Sequence, residues 1–361
     1  MGLVGPESEQ TMNRPERSTV TIAVTVCIVA AAAAIALASM TFYHRQAVGS
    51  TPRASASLRV PEPRVVQARL PSTGFSYLGV YEGSDPSVGQ YARVEKFART
   101  VGRQPNIVMS YSSWGEPFSI SFAQTALQHG ASLLIDLDPT STSCASIAAG
   151  QQDAFLKSYA ESVKAFGYPV IISFGHEMNG TWYPWGWPFT QPAVFVRAWR
   201  HIVDVFRETG ADNVTWLWTI NSVASYEGPI ADYWPGASYV TWVAVDAYYY
   251  SSDDDFSGVF GPSIAAVRQL TNKPLLISET AIGQVAGQAS KIPGLFAGIS
   301  SGGLLGFVWY DQAQDDGIYH QNWRLEGHPD SIAAFRAAVA TYLPQIATGP
   351  AVGFPRPNTA G

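Results

Sequence analysis

Eight short apolar or aromatic runs recur along the chain, at 75–82, 106–113, 132–138, 170–176, 213–221, 240–248, 274–280 and 304–310. Runs of this length and evenness fit strands buried on both faces, as in a parallel sheet covered by helices. Most of the intervals hold helical spacing: Phe155, Tyr159, Val163 and Phe166 share one helical face, as do Phe195, Trp199, Ile202 and Phe206. Pro192 suits a helix start and Gly210 a helix end. Eight alternations, with no glycine-rich phosphate loop after the first run, predict an α/β fold closed as a (β/α)8 barrel rather than an open doubly wound sheet.

The barrel predicted in this way occupies residues 73–345. Ahead of it lie a short tail (1–19), an apolar stretch (20–43), and a linker (44–72) rich in Pro, Ser and Arg; a tail (346–361) follows. From Val20 to Met40 no residue is charged, which is long enough to span a hydrocarbon core. It reads as a transmembrane or signal-anchor segment, since the small-residue pattern Ala36-Leu37-Ala38 lies inside the run rather than after it. The expected location is therefore the cell membrane with an extracellular catalytic domain, or secretion if the segment is cut. Arginines flank the stretch on both sides, so charge does not set its orientation.

Overall, 47% of residues are hydrophobic and 14% charged, which is the composition of a globular chain. The net charge is -6, and the arginine-rich first 70 residues make the remainder more acidic still. Such a surface repels phosphate backbones and excludes nucleic acid as the expected partner. Cys27 falls in the apolar stretch and Cys144 stands alone in the barrel, so no disulfide forms within it. A domain of this size needs none, and a monomer is expected.

In a (β/α)8 barrel the active site sits at the carboxyl ends of the strands. The residues closing these runs are mostly acidic or aromatic: Tyr81-Glu82, Tyr111, Trp114, Asp136-Leu137-Asp138, His176-Glu177-Met178-Asn179, Asn221, Asp246, Tyr248, Glu279, Trp309 and Asp311. Glycoside cleavage through a covalent intermediate needs two carboxyl groups about 5–5.5 Å apart, one to protonate the leaving oxygen and one to attack the anomeric carbon. Glu177 and Glu279 close strands four and seven and would face each other across one mouth.

The segments around them sharpen this reading. FGHEMNGTWYPWG, residues 174–186, and PLLISETA, residues 274–281, resemble the acid/base segment and the nucleophile strand of glycoside hydrolase family 26. The similarity continues through AWRHIVDVFRETGADNVTWLW (198–218) and YWPGASYVTWVAVDAYYY (233–250). The resemblance implies a retaining mechanism acting on a β-linked polysaccharide of the mannan or glucan class, with Glu177 as acid/base and Glu279 as nucleophile. It further implies that His176 contacts the sugar beside the scissile bond, that Tyr248 hydrogen-bonds the nucleophile, and that Trp309 floors the site. Two positions depart from the family pattern: Ser173 stands where the family often has arginine, and Asp136-Leu137-Asp138 where its mannanases often carry histidine or tryptophan. The second departure weakens the expectation of mannan.

From the residues themselves, Trp182, Tyr183, Trp185 and Trp187 are too dense and too broken by Pro184 and Gly186 to form a helix face, and are expected to line the cleft. Asn221 is a further candidate for the lining. No metal or organic cofactor is required, because the chemistry is proton and glycosyl transfer. A zinc motif begun by His176-Glu177 fails at Gly180, where the second histidine would stand. Asp253-Asp254-Asp255 reads as a solvated loop. The alternative function is a non-catalytic, cell-surface carbohydrate-binding protein on the same fold.

Overall fold

The computed structural model describes residues 70, 74–83, 86, 88–223, 228–314 and 320–343. The apolar stretch 20–43, nearly all of the linker and the tail 346–361 lie outside the described residues, and no helix among the described ones is long and apolar enough to cross a membrane.

All eight predicted runs form strands: β1 (Tyr77–Tyr81), β2 (Ile107–Ser113), β3 (Ser132–Asp138), β4 (Val170–Phe174), β5 (Val214–Asn221), β6 (Trp242–Asp246), β7 (Leu275–Thr280) and β8 (Gly306–Tyr310). They pair in parallel in chain order, and β8 returns to β1 to close the barrel. Eight helices occur among the described residues: α1 (Val88–Val101), α2 (Ile120–Gln128), α3 (Cys144–Ala148), α4 (Asp153–Phe166), α5 (Pro192–Thr209), α6 (Phe256–Leu270), α7 (Gln288–Ser301) and α8 (Pro329–Tyr342). The two helical faces foreseen from spacing lie on α4 and α5, and α5 starts at Pro192 and ends on left-handed Gly210. Among the described residues between β5 and β6, 3-10 turns lie at Ile230–Tyr233 and Ala237–Tyr239.

Strand alternation sorts the side chains into two cores. Tyr77, Met109, Leu134, Leu217, Trp242 and Leu276 fill the barrel interior. The alternate positions, such as Val80, Ile135, Ile172, Trp218 and Phe307, pack outward against the helices. Each large side chain buried in this way contributes roughly 2–3 kcal/mol.

Closure depends on a glycine. Gly306 lies opposite Tyr77 with φ +148°, and a Cβ there would sit 1.9 Å from the Tyr77 carbonyl oxygen. Because the obstacle is backbone, it cannot swing aside. Gly306→Ala is expected to destabilise the barrel by about 3 kcal/mol or more; an unchanged midpoint in urea unfolding would contradict this account of the β1–β8 seam.

Candidate active site

The carboxyl ends of the strands surround a cavity of about 560 Å³ whose lining includes Tyr111, Glu177, Trp182, Tyr183, Asn221, Tyr248, Tyr250, Glu279, Tyr310 and Trp323. Glu177 and Glu279 therefore face one space.

Glu177 reaches it through an unusual turn. β4 stops at Phe174, Gly175 follows at φ +54°, and Glu177 itself takes φ +52°, a left-handed conformation that costs a side-chain-bearing residue about 1–2 kcal/mol. Surrounding bonds hold the turn: the Glu177 N–H donates to the Thr219 carbonyl, the Gly180 N–H to the Glu177 carbonyl, and Trp185 Nε1 to the His176 carbonyl at 2.8 Å. The Glu177 carboxyl accepts from Asn221 Nδ2 at 2.7 Å and from Trp182 Nε1 at 2.7 Å. Gly180, which breaks the zinc motif, has a packing reason: a Cβ there would lie 2.3 Å from the Trp182 ring, so only glycine lets that ring reach Glu177.

Glu279 is brought in by a β-bulge. Along β7, Leu276 points into the barrel core, so strict alternation would turn Glu279 outward. Instead the register with β6 shifts between Ala244–Leu276 and Asp246–Glu279, and the register with β8 shifts between Ile277–Phe307 and Thr280–Trp309. One extra residue in β7 re-aims the glutamate inward. Its two carboxylate oxygens accept from the Tyr111 hydroxyl and from the Tyr248 hydroxyl, the latter at 2.5 Å.

Burial, reinforced by the charge of Glu177, pushes Glu279 up to about 7, while His176 and the two tyrosine hydroxyls pull it back down. The site thus holds one of its two facing carboxyls near the balance between acid and carboxylate at neutral pH. Burial also raises Asp136, to about 8, and Glu82, to about 9 with help from neighbouring Asp311. Such groups bind protons more tightly in the folded chain than in the unfolded one. Their stabilising contribution is complete below the ordinary carboxylate range and is lost as pH rises through 7 to 9. The melting temperature is expected to fall by roughly 5–10 °C between pH 5 and pH 9; a melting temperature that rises over this range would refute the assignment.

Several expectations from sequence are met in the cavity and several are corrected. Trp182, Asn221 and Tyr248 line it, and of the three consecutive tyrosines Tyr249 is the one that faces the packing layer, against Phe260. Trp309 does not floor the site: it is fully buried in the outer core against Phe335 of α8, and Tyr310 turns in instead, one residue on. Trp185 is buried beneath Tyr183, stacked at 4.3 Å between ring centroids, and supports the lining rather than forming it. His176 is 1% exposed and absent from the lining, with Nδ1 2.9 Å from Asp138 Oδ1 and Nε2 3.2 Å from the Tyr183 hydroxyl. It lies under the floor.

Other contributors were missed. Asn179 fixes Asn221 from both sides, accepting from its N–H and donating to its carbonyl, each at 2.9 Å. Trp323 directly follows β10 (Gln321–Asn322), which pairs antiparallel with β9 (Ala313–Gln314), and its Nε1 donates to Gln314 Oε1 at 2.8 Å. Asn179 stands among the residues that close the fourth run but was not singled out, and Trp323 has no local sequence signal. Tyr111, by contrast, closes a predicted strand and was open to the same inference as Tyr248.

Asp136, His176 and Glu279 each bring a donor atom within 4.8 Å of the others. Both ring nitrogens of His176 are already engaged by Asp138 and Tyr183, so this cluster is better described as a charge network than as a metal centre. In the aspartate triplet, Asp254 accepts from the Tyr250 and Ser251 N–H groups and Asp255 caps α6 at the Gly258 N–H, which makes it a turn and a helix start.

A sequence model of "Glycosyl hydrolase family 26" matches residues 142–285. Endoglucanase H of Acetivibrio thermocellus is 28% identical over 283 residues, covering 73% of this chain and 30% of that protein. A mannan endo-1,4-beta-mannosidase of Bacillus subtilis is 30% identical over 139 residues, 35% of each. The chain thus spans about a third of the length of these relatives. Among solved structures, a GH26 beta-mannanase from Bacteroides ovatus superposes with a TM-score of 0.57 at 14% identity, over 74% of this chain and 88% of that one, which establishes the shared barrel.

Proposed function

We propose that the barrel, which matches the glycosyl hydrolase family 26 model over residues 142–285, is a retaining β-glycoside hydrolase acting on a β-linked polysaccharide of the glucan or mannan class. The observation that carries the reading is the pair Glu177 and Glu279 on one cavity, each carboxyl gripped by two donors from different parts of the chain.

In the first step a Glu279 oxygen attacks the anomeric carbon while Glu177 gives its proton to the departing glycosidic oxygen, leaving a glycosyl ester on Glu279. Tyr111 and Tyr248 aim Glu279 and favour its ionised form, because a donated hydrogen bond stabilises the carboxylate. Asn221 and Trp182 fix the rotamer of Glu177, which is what a proton donor requires to stay within reach of one oxygen. Glu177 then takes a proton from water, which attacks the same carbon and frees Glu279. Trp182, Tyr250, Tyr310 and Trp323 offer ring faces on which pyranose rings stack.

We extend the proposal to the whole chain: the apolar stretch 20–43 tethers a monomeric barrel at the outer face of the membrane, within reach of polysaccharide. Support comes from the length of that stretch and the linker after it. The test is release of reducing sugar from mixed-linkage β-glucan, β-mannan and xylan by the purified chain, followed by NMR of the first-formed anomer. Cleavage with retained β configuration is expected. Binding without cleavage across the panel would instead favour a carbohydrate-binding protein.

A further inference from the structure

Five carboxyl groups, Asp136, Asp138, Glu177, Asp246 and Glu279, are buried around this cavity, and no lysine or arginine is among its described lining residues. Concentrating negative charge away from water without a cation is costly, so most of these groups must be neutral or share a counter-charge. The candidate cation is His176. Its Nδ1 lies 2.9 Å from Asp138, both side chains being buried, and one of its ring nitrogens comes within 4.8 Å of carboxylate oxygens of Asp136 and Glu279.

We propose that Asp138 is a positioning residue that holds His176 as an imidazolium beneath the cavity floor, where the ring is the cation that balances the Glu279 carboxylate. This rests on the glycosidase reading above and assigns the charge that keeps its nucleophile ionised. With Nδ1–H donating to Asp138, a protonated Nε2 donates to the Tyr183 hydroxyl, whose own hydrogen is then directed elsewhere.

Every group facing the ring is consistent with this arrangement. Asp136 and Asp138 approach from β3, Tyr111 from β2, Glu177 and Tyr183 from the segment after β4, Asp246 from β6 and Glu279 from β7. Burial opposes charge on the imidazole, but the neighbouring carboxyl groups, Asp138 first through both its charge and its hydrogen bond, outweigh it and leave the ring's affinity for a proton well above the ordinary value. Asp136, pushed up to about 8, is mostly neutral at pH 7, and Asp246 lies well above the carboxylate range while accepting from the Ser278 hydroxyl at 2.6 Å. Asp138, bonded directly to the ring, and Glu279, within 4.8 Å of one of its nitrogens, are the carboxylates the imidazolium is placed to balance.

The proposal is tested by 15N-histidine NMR of the wild-type chain, with His176→Asn used to assign the signal. Both ring nitrogens of His176 should be protonated at pH 7; a neutral ring there overturns the proposal, whatever the activity. Asp138→Asn should move the acidic limb of the kcat/KM profile on an aryl β-glycoside upward by about one pH unit or more, so that activity at pH 6 falls about fivefold further than at pH 8, or more. Asp138→Glu should leave the limb near its wild-type position. A uniform loss in Asp138→Asn with the limb unmoved would also overturn the proposal, since it is what a merely structural residue would give. Failure of the glycosidase reading itself is seen separately, as wild-type protein that cleaves nothing or as full turnover in Glu279→Ala.

Discussion

Glu279→Ala is expected to lower turnover of a β-glycan or an activated aryl β-glycoside by about 10⁴-fold or more while glycan binding persists. The expected size follows from the site: Glu279 stands between two tyrosine hydroxyls, and no other carboxyl is held in that place. Asp246 is its neighbour on β6 but is bound to Ser278 within the wall. A small external nucleophile such as azide should restore part of the activity with the aryl glycoside and yield the product of inverted configuration. Wild-type turnover in this variant would end the assignment.

Glu177→Ala is expected to separate substrates rather than abolish activity on all of them. A polysaccharide leaves as a poor leaving group and needs its oxygen protonated, so loss of the general acid should cost about 10²–10⁴-fold. An aryl glycoside with an acidic phenol leaves unaided, and its first step should be nearly unaffected. The glycosyl ester on Glu279 should then accumulate, visible as a burst followed by slow hydrolysis and as a mass increase of the intact chain. Equal losses on both substrates would show that Glu177 does not act as the proton donor. Asn221→Ala and Trp182→Phe, which remove the two donors to this carboxyl, should show weaker versions of the same pattern.

Much of this was legible before any coordinates. Each of the eight apolar runs became a strand, because a strand buried on both faces has a composition that little else shares. Pro192 and Gly210 marked the ends of α5 because their backbone preferences are local. Glu177 and Glu279 could be paired from their positions at the ends of strands four and seven, since a closed barrel sends all strand ends to one mouth.

What was not legible is how the phase of each strand, and the turns after it, aim the side chains. Trp309 and Tyr310 are adjacent, and only the pairing of β8 with β1 determines which of them faces the cavity. Glu279 faces inward because of one extra residue in β7, a defect visible only against β6 and β8. His176 sinks below the floor because Gly175 and Glu177 both turn left-handed and Tyr183 closes over it. The chain's composition and local preferences thus determined that a barrel forms and which end holds the acids, since burial and backbone conformation are properties of single segments. Which side chains meet, and which carry charge there, depends on register between distant segments and on the shared dielectric of the cavity, and only the assembled structure decided it.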